Sequence, residues 1–204
     1  HRVFDISNLG NLASYGLYRG NPKSKVMVIG EALGEEESIK HIPFCGKAGV
    51  LLDRIFASIG LNTNRDCYLT NLVPYRPVAP EGSGKKNLAP TKAQIDACKH
   101  FLDKQIGLIC PEIIVLLGKV AMEGVLGYKG PISKHVGLWA LDSRYPGIRF
   151  FIMYHPAFLL YSQRDPEQYQ VAREAMWLHA KRLRNKVDLL GGNELTYPEL
   201  ETTN

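Results

Sequence analysis

Three polar side chains stand at the ends of short apolar runs of the sequence, and they carry groups that enzymes use often. They are the carboxylate of Glu31, the amide of Asn71 and the imidazole of His155. A carboxylate or an imidazole can transfer protons, and an amide can donate and accept hydrogen bonds at once. These groups indicate a site for a polar ligand, provided that the fold brings them together.

The apolar runs predict the strands of a sheet. The runs at 25–30 and 112–118 are rich in branched aliphatic residues and close on glycine, as expected for strands buried on both faces. Two further strands are predicted at 67–73 and 148–154. Helical periodicity occupies the segments at 48–60, 91–109, 118–126 and 166–183. Strands that alternate with helices predict a parallel α/β sheet.

The order of these elements places the polar groups at one edge of the sheet. In an open parallel sheet the ligand crevice lies beyond the carboxyl ends of the strands. Glu31, Asn71 and His155 stand at the carboxyl ends of three different predicted strands. We therefore expect carboxylate, amide and imidazole to converge there.

The composition fits one compact domain, which we place at 1–190, followed by a mobile tail at 191–204. Hydrophobic residues make up 45% of the 204 positions, enough for a single core, and 74–90 is expected to be an exposed loop. The net charge of +5 favours a polyanionic partner without requiring one. No membrane span or secretory signal is evident, so we expect a cytoplasmic protein, with an organellar or nuclear location left open.

The cysteines predict neither a metal site nor a disulfide framework. None of them forms the short C-x-x-C spacing that chelates a metal efficiently. We expect reduced, partly buried thiols at Cys45, Cys67, Cys98 and Cys110.

Four blocks of the sequence resemble, in the same order, the family 4 uracil-DNA glycosylases. The blocks are GEALGEEE at 30–37, PFCGKAGVLLD at 43–53, YLTN at 68–71 and HPAFLL at 155–160. The resemblance runs from about residue 25 to about residue 184 and covers the whole predicted core. We expect a three-layer α/β/α sandwich with a four-stranded parallel central sheet, as in that superfamily.

The resemblance implies a role for each side chain of the predicted site. Glu31 would orient or activate the hydrolytic water and stabilise positive charge as the N-glycosidic bond to deoxyribose breaks. Phe44 would stack on the flipped base, and Asn71 would read its Watson–Crick edge. His155 would hydrogen-bond the uracil carbonyl on which negative charge accumulates.

Further positions correspond to family residues that shape the pocket or hold DNA. Gly30 would line the base pocket, and Glu37 would lie near the 5-position of the base and help to exclude the methyl group of thymine. Backbone N–H groups at the start of a helix would bind a phosphate. The residues of this phosphate seat are Gly46, Lys47, Ala48 and Gly49. An apolar wedge that enters the duplex would consist of Pro156, Leu159 and Leu160.

The sequence departs from the family where most members bind a four-iron cluster through four cysteines. Only Cys98 is retained, Tyr75 stands at the third ligand position, and no cysteine precedes Lys25. One thiolate cannot hold a cluster, so we predict no cofactor unless cysteines lie upstream of His1, and aromatic packing by Tyr75 instead. Other departures, which would weaken DNA binding, are Leu33, Ser38, Val136 and Tyr161.

The resemblance implies a monomeric enzyme without a metal that flips deoxyuridine out of single- or double-stranded DNA. Hydrolysis would release free uracil and leave an abasic site. One alternative is a related glycosylase for hypoxanthine, xanthine or mismatched thymine, and another is a non-catalytic paralogue that binds damaged DNA. A nucleotide-binding α/β protein ranks below both, because no glycine-rich phosphate motif follows a strand.

Overall fold

The computed structural model describes residues 15–77 and 88–190, which form a mixed sheet covered by helices on both faces. The strands are β1 (Arg19–Gly20), β2 (Val26–Ala32), β3 (Cys67–Val73), β4 (Ile113–Leu117), β5 (Trp139–Leu141) and β6 (Arg149–Met153). The helices are α1 (Glu35–Lys40), α2 (Lys47–Ala57), α3 (Thr63–Asp66), α4 (Lys92–Ile109), α5 (Gly118–Leu126), α6 (Pro156–Ser162) and α7 (Pro166–Leu190). The predicted tail at 191–204 and the part of the predicted loop at 78–87 lie outside the described residues.

The sheet has the strand order β1-β3-β2-β4-β6-β5. The four central strands are parallel, which confirms the four strands predicted from the sequence. The expectation of only four strands was wrong, because β1 and β5 pair antiparallel at the two edges. These edge strands have two and three residues, too few to leave a readable pattern in the sequence.

Alternate residues of each central strand face opposite layers of helices, as the geometry of a strand requires. In β2, Val26 and Val28 face the core under α2 and α7, whereas Met27 and Ile29 face the core under α4 and α5. Both cores are closed to solvent, which explains why the strands are apolar throughout. The three-layer α/β/α arrangement is thereby confirmed.

The helices follow their predicted signals, with one difference in length. The capping box at the start of α4 is present, since the Thr91 side chain accepts from the N–H of Gln94. Helix α7 continues to Leu190, beyond the predicted end at 183. Its last turns carry an ion pair of Arg184 with Asp188, four residues apart, and Val187 there packs against the core, so both contacts support the longer helix. None of the described helices is long and apolar enough to cross a membrane.

The position of the ligand crevice follows from the strand order. The chain passes from β2 to β3 on one side of the sheet and then crosses to β4 on the other side of β2. At such a switch point the connections leave in opposite directions and open a crevice beyond the carboxyl ends of the strands. A ligand site is therefore expected at the carboxyl ends of β2, β3, β4 and β6.

Candidate active site

Glu31 lies near the carboxyl end of β2, at the expected crevice. Its side chain is partly buried, and this desolvation raises the pKa of the carboxyl group. Burial is the only cause of the shift within the described part of the chain. A raised pKa makes the carboxylate a better proton acceptor, which suits a residue that orients or activates water.

Gly30 forms the floor of the site, because two side chains approach its backbone closely. It lies opposite Asn71 in the pairing of β2 with β3. A Cβ atom added at Gly30 would lie 2.4 Å from Oδ1 of Asn71 and 2.6 Å from Cζ of Phe44. Both distances are shorter than van der Waals contact, so only glycine lets the amide and the ring reach the strand.

Phe44 has a left-handed backbone conformation with φ of 56°, which is uncommon for a residue with a side chain. Helix α2 packs directly on its backbone, since a Cβ atom at Gly49 would lie 1.8 Å from the carbonyl oxygen of Phe44. Such backbone conformations persist where the surrounding structure holds them, and they cluster at functional sites. The strand floor and α2 therefore fix the phenyl ring from two sides.

His155 immediately precedes α6 and caps its first turn. Its Nδ1 accepts a hydrogen bond of 3.2 Å from the backbone N–H of Ala157. Burial lowers the pKa of His155 to about 4, so the ring is neutral at neutral pH. Because Nδ1 accepts, the single proton lies on Nε2, which is then a donor. The rings of His155 and Phe44 lie nearly parallel, with centroids 6.2 Å apart, so both border the same space.

Gly118, directly after β4, is a site residue that the sequence analysis did not single out. It has a φ of 87°, and a Cβ atom there would lie 3.1 Å from Cβ of His155. A larger residue would push the imidazole away from its position. The signal was present in the sequence, since Gly118 closes a buried strand at the same edge as the other site residues.

Glu37 joins α1 to the start of α2. Its Oε1 accepts a hydrogen bond of 3.0 Å from the backbone N–H of Gly46. A Cβ atom at Gly34 or at Gly46 would approach the same carboxylate to 2.5 or 2.8 Å. The carboxylate is therefore enclosed, and it fixes the loop that carries Phe44. A contact of Glu37 with the base stays a prediction.

The phosphate seat at the start of α2 stays a prediction, and the structure places its four residues in different environments. The N–H of Gly46 is already bonded to Glu37, whose charge lies at the positive end of the helix dipole. Gly49 is buried under Phe44, so it serves packing and not the approach of DNA. Lys47 is exposed and Ala48 is partly exposed, and these two remain available for the DNA backbone.

The predicted wedge also stays a prediction, and α6 distributes its residues between a buried and an exposed face. Pro156 and Leu159 lie on the buried face of the helix, and the exposed fraction of Leu159 is 5%. Side chains packed against the protein cannot enter a duplex from this position. Leu160 is partly exposed and remains a candidate.

Tyr75 and Cys98 occupy two positions that the family resemblance assigns to the iron–sulfur cluster. The Tyr75 hydroxyl hydrogen-bonds to the Cys98 thiol, and the Tyr15 ring packs edge-on against Tyr75 with centroids 5.6 Å apart. Burial raises the pKa of the Cys98 thiol to about 11, which keeps it protonated. Over residues 15–77 and 88–190, no three His, Cys, Asp or Glu side chains converge on a metal position. These residues do not fit a cluster.

The two carboxylates that precede Glu37 have partners of their own. Glu35 pairs with Arg76 at 3.4 Å, and Glu36 pairs with Lys40 at 3.8 Å. Exposed ion pairs contribute little to stability, but the first one connects α1 with the segment that follows β3. Neither carboxylate belongs to the pocket.

Comparison with known proteins identifies the family to which this arrangement belongs. The family model of the uracil DNA glycosylase superfamily matches residues 17–180, which include every pocket residue described above. The chain is 33% identical to the type-4 uracil-DNA glycosylase of Archaeoglobus fulgidus over 156 residues, or 74% of each chain.

Two further relatives have the same name. The chain is 36% identical to the enzyme of Sulfurisphaera tokodaii over 151 residues, which are 70% of this chain and 64% of the relative. It is 34% identical to the enzyme of Thermotoga maritima over 145 residues, or 69% of each chain. The chain belongs to the uracil-DNA glycosylase superfamily, and type-4 enzymes are among its relatives.

Proposed function

We propose that this protein removes uracil from DNA by hydrolysing the N-glycosidic bond, which releases free uracil and leaves an abasic site. The observation that carries the proposal is the convergence of Glu31, Phe44, Asn71 and a neutral His155 at one edge of the sheet. The type-4 relatives support the choice of uracil, since each is named for excising it. The reaction belongs to DNA repair.

Recognition of the base requires the nucleotide to leave the helical stack and enter the pocket. The ring of Phe44 is held beside Gly30 and is 4% exposed, and it would stack on the base once the base enters the pocket. The amide of Asn71 offers a donor and an acceptor, and no protein group in the described part of the chain hydrogen-bonds to its side chain. A free amide held in place can read the polar edge of uracil, which also presents donor and acceptor atoms.

Bond cleavage separates charge, and the two ends of the pocket stabilise the two charges. As the bond between C1′ and the base nitrogen breaks, its electron pair passes to uracil and C1′ becomes positive. Nε2–H of His155 donates to the carbonyl oxygen where the negative charge collects. The carboxylate of Glu31 stabilises the positive sugar and accepts a proton from the water whose oxygen bonds to C1′.

The proposed reaction runs without an iron–sulfur cluster. Support comes from the hydrogen bond of Tyr75 to a protonated Cys98 thiol, in a space that Tyr15 also fills. Full-length protein purified without oxygen is expected to show no visible cluster absorbance and to excise uracil. Stoichiometric iron and sulfide in active protein would contradict this proposal.

The enzyme is proposed to act as a monomer, as the family resemblance implies. Light scattering of the protein with and without uracil-containing DNA tests this point, and a stable dimer would contradict it. The cytoplasmic location stays a prediction.

The function is tested by cleavage of a labelled oligonucleotide that carries one uracil, followed by alkaline strand scission. Glu31→Gln keeps the shape of the side chain, and we expect a loss of at least about tenfold in rate, or about 1.4 kcal/mol of barrier. Glu35→Gln alters a carboxylate outside the pocket and is expected to keep the rate.

The same assay separates the alternatives. Oligonucleotides with hypoxanthine, xanthine or a thymine mispair are expected to react far more slowly than uracil. Faster release of one of these bases would favour a glycosylase with altered base choice. DNA binding without any cleavage by the unmodified protein would exclude the hydrolase and favour a non-catalytic paralogue.

A further inference from the structure

Helix α6 places its two aromatic side chains outside and one of its leucines inside. The exposed fraction is 43% for Phe158 and 70% for Tyr161, but 5% for Leu159. Phe158 and Tyr161 are three residues apart, so they lie on the same side of the helix. This aromatic face, composed of Phe158 and Tyr161, begins three residues after His155, the imidazole that borders the pocket.

Phe158 is firmly held although it is exposed. Its ring stacks on Tyr154, with centroids 4.6 Å apart and planes inclined by 21°. Its backbone N–H donates to the carbonyl of His155 at 2.9 Å, and its own carbonyl accepts from the Ser162 hydroxyl at 2.8 Å. A side chain that is already ordered loses little freedom when a ligand covers it. The ring is therefore ready to meet a flat apolar surface.

The charges around the aromatic face fit a polyanion. The sequence from Tyr154 to Arg164 contains no carboxylate, and Arg164 is exposed. Asp165, which follows it, accepts from the N–H groups of Glu167 and Gln168 at the start of α7. Helix α2 packs on α6, and Lys47 at its start is exposed. Aromatic rings combined with basic side chains are the usual means of binding stacked bases and their backbone.

We propose that Phe158 and Tyr161 form the wedge that supports duplex DNA around the extruded nucleotide, in the role that the family resemblance gives to Pro156, Leu159 and Leu160. The proposal rests on the proposed glycosylase function, because extrusion of a base leaves a gap in the stack. Apolar side chains elsewhere fill or open such gaps between base steps. Phe158, nearer the pocket, enters the gap, and Tyr161 packs against the adjacent nucleotide one helical turn further along.

The wedge is tested by comparing duplex with single-stranded DNA, because only a duplex has a stack to disrupt. The double variant Phe158→Ala/Tyr161→Ala is expected to lose at least about tenfold in excision rate on a U:G duplex, and less than about threefold on the single strand. Phe158→Leu keeps an apolar side chain and is expected to retain most of the duplex rate. An equal loss on both substrates, or no loss on the duplex, would overturn the proposal.

Leu141→Ala provides a matched control for loss of an exposed apolar side chain. Leu141 is 55% exposed and lies at the opposite end of the sheet, opposite Arg149 at the start of β6. Its replacement is expected to change neither the duplex rate nor the single-strand rate. A drop in the duplex rate equal to that of the double variant would show that the effect does not belong to α6, and it would count against the wedge.

Base extrusion gives a second readout that does not depend on catalysis. The fluorescence of 2-aminopurine placed next to the uracil is expected to rise when the Glu31→Gln protein binds the duplex. Addition of Phe158→Ala and Tyr161→Ala is expected to abolish that rise, and an unchanged rise would contradict the wedge. If the unmodified protein excises no uracil, the proposed function fails, but the fluorescence still decides whether the aromatic face unstacks DNA.

Discussion

The two ends of the sheet carry polar clusters of opposite character. At the carboxyl end, Glu31 and His155 have pKa values that are shifted by burial alone. At the amino end, Lys99 donates to Asp103 at 3.0 Å, and the Tyr145 hydroxyl donates to the same carboxylate at 2.6 Å. The polar groups at the carboxyl end are available to a ligand, whereas those at the amino end hydrogen-bond to one another.

The partners of the polar groups distinguish a ligand site from a cluster that only stabilises the fold. Burying a polar group without a partner costs free energy, so a fold tolerates it mainly where a ligand completes the interaction. A groove of about 740 Å³ also lies at the amino end, lined by Lys99, Asp103 and Tyr145, yet these groups are already bonded to each other. The size of a groove is therefore a weaker guide here than the state of its polar groups.

Gly30→Ala should break the carboxyl-end cluster while it leaves the amino end intact. The added methyl group would collide with Oδ1 of Asn71 and with the ring of Phe44, so both side chains must move. We expect uracil excision to fall by roughly a hundredfold, since misplacement by about 1 Å has effects of that size. The measurement is single-turnover cleavage of the uracil oligonucleotide.

Gly107→Ala is the matched control for this substitution. Gly107 lies in α4, and a Cβ atom there meets no other atom within 4 Å. The control protein is expected to cleave at the unmodified rate. If Gly30→Ala also retains that rate, the pocket floor is more adaptable than the distances indicate.

Acid should lower the free energy of unfolding of the protein because of His155, which lies at the carboxyl end of the sheet. The unfolded chain binds a proton at this residue below about pH 6.5, whereas the folded protein, with a pKa of about 4, does not. The contribution of the buried, neutral His155 to stability is therefore complete above pH 6.5 and is lost as the pH falls towards 4. We expect roughly 2 kcal/mol of unfolding free energy to be lost from this residue between pH 7 and pH 4.5.

Urea unfolding at both pH values measures this loss. The loss should be smaller by about that amount in His155→Gln, whereas His100→Gln, at an exposed position, should behave as the unmodified protein does. Parallel losses in all three proteins would show that burial of His155 does not shift its protonation.

Tyr145→Phe should affect only the amino-end cluster. The change removes the hydroxyl that donates to Asp103 and accepts from Lys99. We expect the unfolding free energy to fall by about 1 kcal/mol, the usual net value of hydrogen bonds that are partly exposed, without an effect on uracil excision. A loss of excision with unchanged stability would reverse the roles that we assign to the two ends.

The sequence was sufficient to predict the central strands and the positions of Glu31, Asn71 and His155 at or near their carboxyl ends. Strands buried on both faces must be apolar throughout, and the polar residues that follow them lie at one edge by topology. The edge strands were missed because two or three residues carry no periodicity. The end of α7 was placed too early because its last turns are mainly polar, with Val187 as the core contact and an ion pair of Arg184 with Asp188.

The surroundings of the predicted DNA contacts could not be read from the sequence, for a common reason. A run such as Phe158 to Tyr161 is apolar throughout, and only the helical repeat decides that Leu159 points inwards. Likewise, any helix has free N–H groups at its start, so the sequence predicts them for α2. The hydrogen bond that the Gly46 N–H donates to Glu37 depends instead on how α1 packs. Contacts between neighbouring elements are not encoded in a local pattern.

The hydrogen bond that the Gly46 N–H donates to Glu37 affects how DNA binding responds to salt. Each phosphate that a protein neutralises displaces condensed counterions and makes affinity steeper in ionic strength, by a slope of about 0.9 per contact. Because the carboxylate of Glu37 already accepts from the N–H of Gly46, the positive end of α2 neutralises no DNA phosphate at that point and displaces no counterions there. Affinity for damaged DNA should thus depend less on electrolyte concentration and more on how well the base fits.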